Sequence, residues 1–235
     1  MTSRTDASLD GQTALLISLG LPFLGGIAEG LTARGAKVVI LEDGRIAGPS
    51  GAVEAALEEA LGDTVPVLVV VSFLTAPATI IAPVAETDLT TWRQAASDPI
   101  RIAMRVLTAL GRRMKPAGRG AIVFLAPSLS LVGGAGLVGL GTALEGQRGL
   151  MKSVARQWGG SGVTLNWLAA APRALSDHFA AADLAAKGDA VPIALGRRPD
   201  ASLEIAGLAA WLAGPAGKGV TGSTMMVDGG EWMVP

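Results

Sequence analysis

The sequence predicts an α/β chain built in three layers, a Rossmann-like doubly wound parallel sheet with helices on both faces. Three observations predict it. Short apolar segments of strand length alternate with longer segments of helical spacing from residue 13 to residue 227. The strand segments are nearly continuous runs of Val, Ile, Leu and Ala, as expected of strands covered on both faces. Glycines and prolines punctuate the junctions, so each apolar run is broken before it becomes long.

Thr13 to Ser18 (TALLIS) is the first strand, followed by a helical stretch from Phe23 to Arg34 with apolar positions at Phe23, Ile27 and Leu31. Gly35 stops that helix, and Ala36 to Leu41 (AKVVIL) completes a βαβ unit with its right-handed crossover. Ala52 to Leu61 reads as a short helix, Val65 to Val71 as a buried strand and Thr91 to Met114 as a long helix. Ala121 to Ala126 is again a strand, Leu137 to Trp158 a helix and Val163 to Leu168 a strand. A helix from Leu203 to Leu212 and a strand from Ser223 to Val227 end the pattern. Residues 1–12 read as a flexible N-terminus, and 172–200 as an irregular, lid-like segment. Ligands of such a sheet bind beyond the carboxyl ends of the strands, where the strand order reverses. Function is therefore sought in the loops after each strand.

Composition narrows the chemistry. The 235 residues suit one domain, and 19 basic against 20 acidic residues lack the basic excess that binds nucleic acid. The chain has no Cys, so disulfides, thiolate nucleophiles and Cys-built zinc sites are excluded, and its single His cannot make a His cluster. No metal is expected. Mean hydropathy is +0.47, and the stretches 11–28, 64–85 and 120–144 carry no charge. Pro66, Pro77, Pro83 and Pro127 divide the longer two, so a soluble core explains them better than membrane spans do. The polar start, with Arg4, Asp6 and Asp10, does not read as a signal peptide, and a cytoplasmic protein is expected.

Three segments carry a resemblance to a known family. They are Ile27 to Ile40 (IAEGLTARGAKVVI), Gly149 to Trp158 (GLMKSVARQW) and Val220 to Gly230 (VTGSTMMVDGG). With these the chain resembles the short-chain dehydrogenase/reductases, in particular their ketoacyl-carrier-protein-reductase-like branch, over nearly its whole length. The resemblance implies a seven-stranded Rossmann-like sheet and, usually, a tetramer. It also implies a glycine-rich phosphate loop after the first strand, an Asn-rich turn after the fourth, and an Asn, Ser, Tyr, Lys tetrad in which Tyr is the general acid/base.

Those functional positions hold other residues. The loop's glycine positions hold Ser18, Pro22 and Leu24; Pro22 removes a backbone donor and Leu24 adds bulk. The amide turn corresponds to Val70 to Phe73. The tetrad positions hold Pro99, Pro127, Leu140 and Leu144, and the chain contains no Tyr to relocate. The interval between Glu42 and Val70 is short, so the family's third strand is expected to be shortened or missing. Glu42 sits where an acidic residue binds an adenosine ribose, although a solvated loop carboxylate beside Asp43 explains it equally well. Ser128 and His178 are the remaining catalytic candidates, with a loop serine and a surface histidine as the plainer readings. Glu145, Arg148 and Lys152 share one helix face and read equally as intrahelical pairs.

From this the expectation is a non-catalytic subunit, with no cofactor unless a divergent NAD(P) site exists. It would assemble with an active relative, or with itself, through residues 91–114, 137–158 and the tail 220–235. The partner's substrate would be a ketoacyl or hydroxyacyl thioester. A divergent oxidoreductase, lyase or isomerase with a relocated site, and a ligand-binding regulatory module, stand as alternatives.

Overall fold

The computed structural model describes residues 7–19, 24–175 and 193–233. A single parallel sheet of six strands runs in the order β2-β1-β3-β4-β5-β6. The strands are β1 (Thr13–Ser18), β2 (Lys37–Leu41), β3 (Leu68–Ser72), β4 (Gly120–Pro127), β5 (Val163–Ala170) and β6 (Thr224–Val227). β1 to β5 are the strands the periodicity marks out, and four of them are almost wholly buried. Helices α1 (Leu24–Thr32), α2 (Ser50–Leu61), α4 (Asp98–Ala117), α5 (Val138–Trp158) and α7 (Ala206–Ala213) cover the faces, with short turns α3 (Leu89–Trp92) and α6 (Pro172–Leu175). The three-layer, doubly wound architecture is as expected.

The family's third strand is missing among the described residues. Between β2 and β3 lie only a 3₁₀ turn, Gly44–Ala47, and α2, so β2 is left as the sheet edge, with Ile40 half exposed. Residues 7–12, expected within a flexible terminus, are held: Leu9 is buried, and its N–H donates to the Arg34 carbonyl at 2.8 Å. His178 and most of the lid-like segment lie outside the described residues.

Close approach sets where α1 sits. A Cβ on Gly30 would lie 2.1 Å from the Ser202 carbonyl oxygen, and one on Gly26 would lie 2.9 Å from the Ala201 Cβ. Arg34, past the end of α1, donates to the carbonyls of Gly30, Ser202 and Leu203, which ties the helix to the segment entering α7. On the other face, α4 and α5 cross closely, since a Cβ on Gly111 would meet the Trp158 ring at 2.6 Å.

The VTG segment near the C-terminus earns its place by hydrogen bonding. The buried Asn166 amide on β5 donates to the Val220 carbonyl and accepts from the Ser223 N–H, and the Thr221 hydroxyl accepts from the Leu165 N–H. The next motif is a turn closed by buried Asp228, whose carboxylate accepts from the N–H groups of Gly230 and Trp232. Among the described residues no helix is long and apolar enough to cross a membrane.

Candidate functional site

The strand order reverses between β1 and β3, since the chain moves outward to β2 and then returns to the other side of β1. This is the switch point at which a doubly wound sheet opens a crevice beyond its strand ends. A pocket of about 270 Å³ lies there, lined by Ser18 and Leu19 after β1, Glu42, Asp43 and Gly44 after β2, and Thr75 after β3. Ser18 is buried, and Glu42 stands exposed at the rim. Asp43 accepts hydrogen bonds from the side chain and backbone N–H of Arg45, and these hold its carboxyl below the usual range. Arg45 is engaged on both sides, with Glu59 as its second carboxylate.

The half of the crevice beyond β3 and β4 is filled differently. Leu140 and Leu144, one turn apart on α5, are each 1% exposed and belong to the main hydrophobic core. Phe73, just past β3, is equally buried; its ring meets Phe124 edge-on at 5.9 Å, and Phe124 stacks on Trp167 at 5.6 Å. The rings link β3, β4 and β5 beneath this part of the site. Pro99 is buried in the first turn of α4, and Pro127 ends β4 in register with Ala170. Leu24 is the buried first residue of α1, while Pro22 lies outside the described residues.

Ser128 is fully buried just after β4, and its hydroxyl has no hydrogen-bond partner among the described residues. The same holds for the hydroxyls of Ser72, at the end of β3, and of Ser130. Buried hydroxyls in native proteins are nearly always paired, so each of these three stands out in the fold. Glu145 pairs with Arg148 on α5, the intrahelical reading of those residues. Among the described residues no cluster of His, Asp or Glu could hold a metal ion.

Two features escaped the sequence. Gln147 is a buried amide on α5, and its Nε2 lies 3.5 Å from the Phe73 carbonyl oxygen. Its position seven residues after Leu140, on the inner face of α5, was the available signal. The second is a group of arginines beside the Glu42 pocket, brought together by folding.

A parallel sheet of this order, with a crevice at its switch point, defines a doubly wound α/β protein. The family model described as enoyl-(acyl carrier protein) reductase matches residues 49–231, and the chain belongs to this short-chain dehydrogenase/reductase family. It is 30% identical over 149 residues to a 3-oxoacyl-(acyl-carrier-protein) reductase of Vibrio cholerae, which covers 61% of this chain and 58% of the relative. The aligned region thus spans less than two thirds of that relative. Over 98% of both chains it is 29% identical to a galactitol 2-dehydrogenase (L-tagatose-forming) of Cereibacter sphaeroides. Among solved structures, one described as an NAD(P)-dependent gluconate 5-dehydrogenase of Beutenbergia cavernae superposes with a TM-score of 0.78 at 26% identity. The match covers 97% of this chain and 99% of that one. That crystal structure contains bound NADP at low occupancy. This finding corrects the expectation of no cofactor: the replaced glycines at Ser18 and Leu24 do not remove this chain from an NAD(P)-binding fold family. The inference failed because backbone and crevice shape, which individual loop residues do not dictate, also bind a dinucleotide.

Proposed function

We propose that this chain is a short-chain-dehydrogenase-fold subunit that binds an adenine dinucleotide but does not perform the family's proton transfer, and that it acts by assembling with an active relative. The observation that carries this reading is the burial of Leu140 and Leu144 in the core at the positions that the resemblance assigns to Tyr and Lys. Neither side chain can give or take a proton, and no Tyr exists elsewhere in the chain.

The crevice fits the adenosine half of the cofactor. Glu42 would accept hydrogen bonds from ribose hydroxyls, with Ser18 and Thr75 forming the walls. A bound dinucleotide would supply a hydride donor or acceptor. Phe73, Leu140 and Leu144, which fill the other half, carry no ionisable group, and the Glu145 carboxylate on α5 is paired with Arg148.

Assembly is supported by the outer face of α4 and α5. A groove of about 640 Å³ between them is lined by Met104, Leu107, Leu150, Val154 and Trp158 together with the polar Thr108, Arg112, Lys115, Ser153 and Gln157, and Met104 is half exposed. Protein interfaces commonly combine an apolar centre with a polar rim. A second copy of this chain is the alternative occupant. A ketoacyl or hydroxyacyl thioester as the assembly's substrate follows the names of the reductases it resembles, and a cytoplasmic location belongs to the same reading.

A second reading, a divergent enzyme, draws on the Ser128 hydroxyl, which has no partner among the described residues and could hydrogen-bond a substrate carbonyl. The test has three arms. NADH or NADPH at 100 times its Kd is expected to stabilise the protein by about 2.7 kcal/mol in a thermal melt. The isolated chain is expected to show only background oxidation of NAD(P)H with ketoacyl thioesters; turnover abolished by Ser128→Ala favours the second reading. Affinity capture at native expression is expected to recover a dehydrogenase relative, and recovery of this chain alone sinks the heteromer.

A further inference from the structure

The strand that the family places beyond β2 is missing among the described residues, which leaves β2 as an open edge of the sheet. Backbone direction alternates along a strand, so every second residue of an edge turns its N–H and C=O groups away from the sheet. The Lys37 N–H donates to the Gln12 carbonyl, just before β1, at 2.8 Å. That bond and the register with β1 turn residues 37, 39 and 41 toward β1, and Val38 and Ile40 outward. Asp43 still has extended backbone, with φ −100° and ψ 132°, so the outward row continues to Glu42. The side chains are open too: Val38 and Val39 are partly exposed and Ile40 is 49% exposed, whereas β1 and β3 are buried almost throughout.

Solvent-facing edges are usually guarded by a proline, a bulge or a charge along the strand. Between Lys37 and Glu42 this edge holds only Val38, Val39, Ile40 and Leu41, and its register with β1 runs without a bulge. Such an edge is a template for another strand, and the charges at its ends select which one. Lys37 opens it, and Glu42 and Asp43 close it. Neither Lys37 nor Glu42 has an ion-pair partner among the described residues, and Arg45 is shared between Asp43 and Glu59, which leaves the far end net acidic. A basic start and an acidic end are complementary to a second copy of themselves run antiparallel. A two-fold axis through Ile40, perpendicular to the sheet, achieves this. Ile40 then lies opposite its own copy, Val38 opposite Glu42 of the second copy, and Lys37 opposite Asp43 of the second copy, each pair on one face of the sheet. The outward N–H and C=O groups of Val38, Ile40 and Glu42 all find partners in that register.

We propose that β2 is a docking edge for a second copy of this chain, joined antiparallel about Ile40 so that the two sheets become continuous. The edge shares no residue with the groove between α4 and α5, and the proposal does not rest on the dinucleotide reading. The test combines sedimentation velocity of the full chain at micromolar concentration with residue-resolved amide exchange. The expected species has twice the 23.6 kDa mass of one chain. Ile40→Lys places two ammonium groups at the axis, on a position that is already half exposed, and is expected to weaken self-association at least about tenfold. Ile40→Pro removes an outward N–H and no bond to β1, and is expected to act in the same direction. In the unmodified protein the Val38 and Ile40 amides are expected to exchange as slowly as those of Val39 and Leu41. In Ile40→Lys the Val38 amide is expected to exchange at least about tenfold faster while Val39 and Leu41 stay protected, an alternation that unfolding of the strand would not produce. Rapid exchange at Val38 and Ile40 in the unmodified protein overturns the proposal. A dimer that survives Ile40→Lys but is dissolved by Met104→Asp, in the groove between α4 and α5, overturns it too. Slow Val38 and Ile40 amides in a monomer assign the edge to another segment of the same chain and likewise overturn it.

Discussion

The two halves of the crevice differ in what their side chains leave room for. On the β1–β2 side, polar and acidic residues surround an open pocket, and Asp43 and Arg45 are braced by hydrogen bonds. On the β3–β4–α5 side, Phe73, Leu140 and Leu144 are packed as tightly as any core residue, and an aromatic ladder runs beneath them. On the reading proposed above, one crevice retains the space for a nucleotide while the positions that the resemblance assigns to proton transfer are absorbed into the core. Recognition and chemistry are separable because binding depends on shape and rim polarity, whereas acid–base catalysis needs a titrating group at one point.

The strongest way to break this comparison is to return a titrating group to the filled half. Leu144→Lys buries an ammonium with no counter-ion, and about 3–5 kcal/mol of stability should be lost, measured by urea unfolding. A normally stable Leu144→Lys protein would mean that this half is more open than its packing indicates. Next in size, on the proposed dinucleotide reading Glu42→Ala would remove charge-assisted hydrogen bonds to a ribose, and about a tenfold rise in the Kd for NADH or NADPH is expected, with the unfolding midpoint unmoved. Smaller still is Ser128→Ala. Its buried hydroxyl has no partner among the described residues, so its removal should stabilise the ligand-free protein by about 1 kcal/mol; a loss of similar size would show that the hydroxyl has a partner in solution.

The smallest effect concerns an ion pair at the turn that enters α7. The Arg197 side chain and the Asp200 backbone N–H hold the Glu204 carboxyl down from 4.5 to about 2. Because the folded value is depressed, the stabilisation is fully present above pH 4.5 and is lost as pH falls toward 2. Melting temperature should therefore drop across that window, and drop less in Glu204→Gln. The pair is solvent-exposed, so added salt should flatten the difference.

Much of the fold was legible because strands buried on both faces must be apolar throughout, as LVVVS in β3 and AIVFLA in β4 are. The short interval after Glu42 likewise gave the expectation of a shortened or missing third strand, since it holds a helical pattern and no strand-like run before Val65. Boundaries moved by a few residues where capping and tertiary contacts decide them: the helix expected at 91–114 begins as α3 at Leu89 and continues through the π-turn to Ala117. The expectation about the cofactor failed for another reason. Glycines at Ser18, Pro22 and Leu24 are one route to a phosphate cradle, and their absence was read as loss of the ligand.

The sequence by itself determined the layers, the apolar filling at Leu140 and Leu144 and the absence of a tyrosine, because periodicity and residue identity are local properties. Only the tertiary structure decided that Glu42 lines a pocket with Ser18 and Thr75, that Ser128 is buried with no partner among the described residues, and that Arg93, Arg101 and Arg105 line one cavity. Those facts depend on strand order and on one extra residue in a helical turn, which bring together groups that are far apart along the chain.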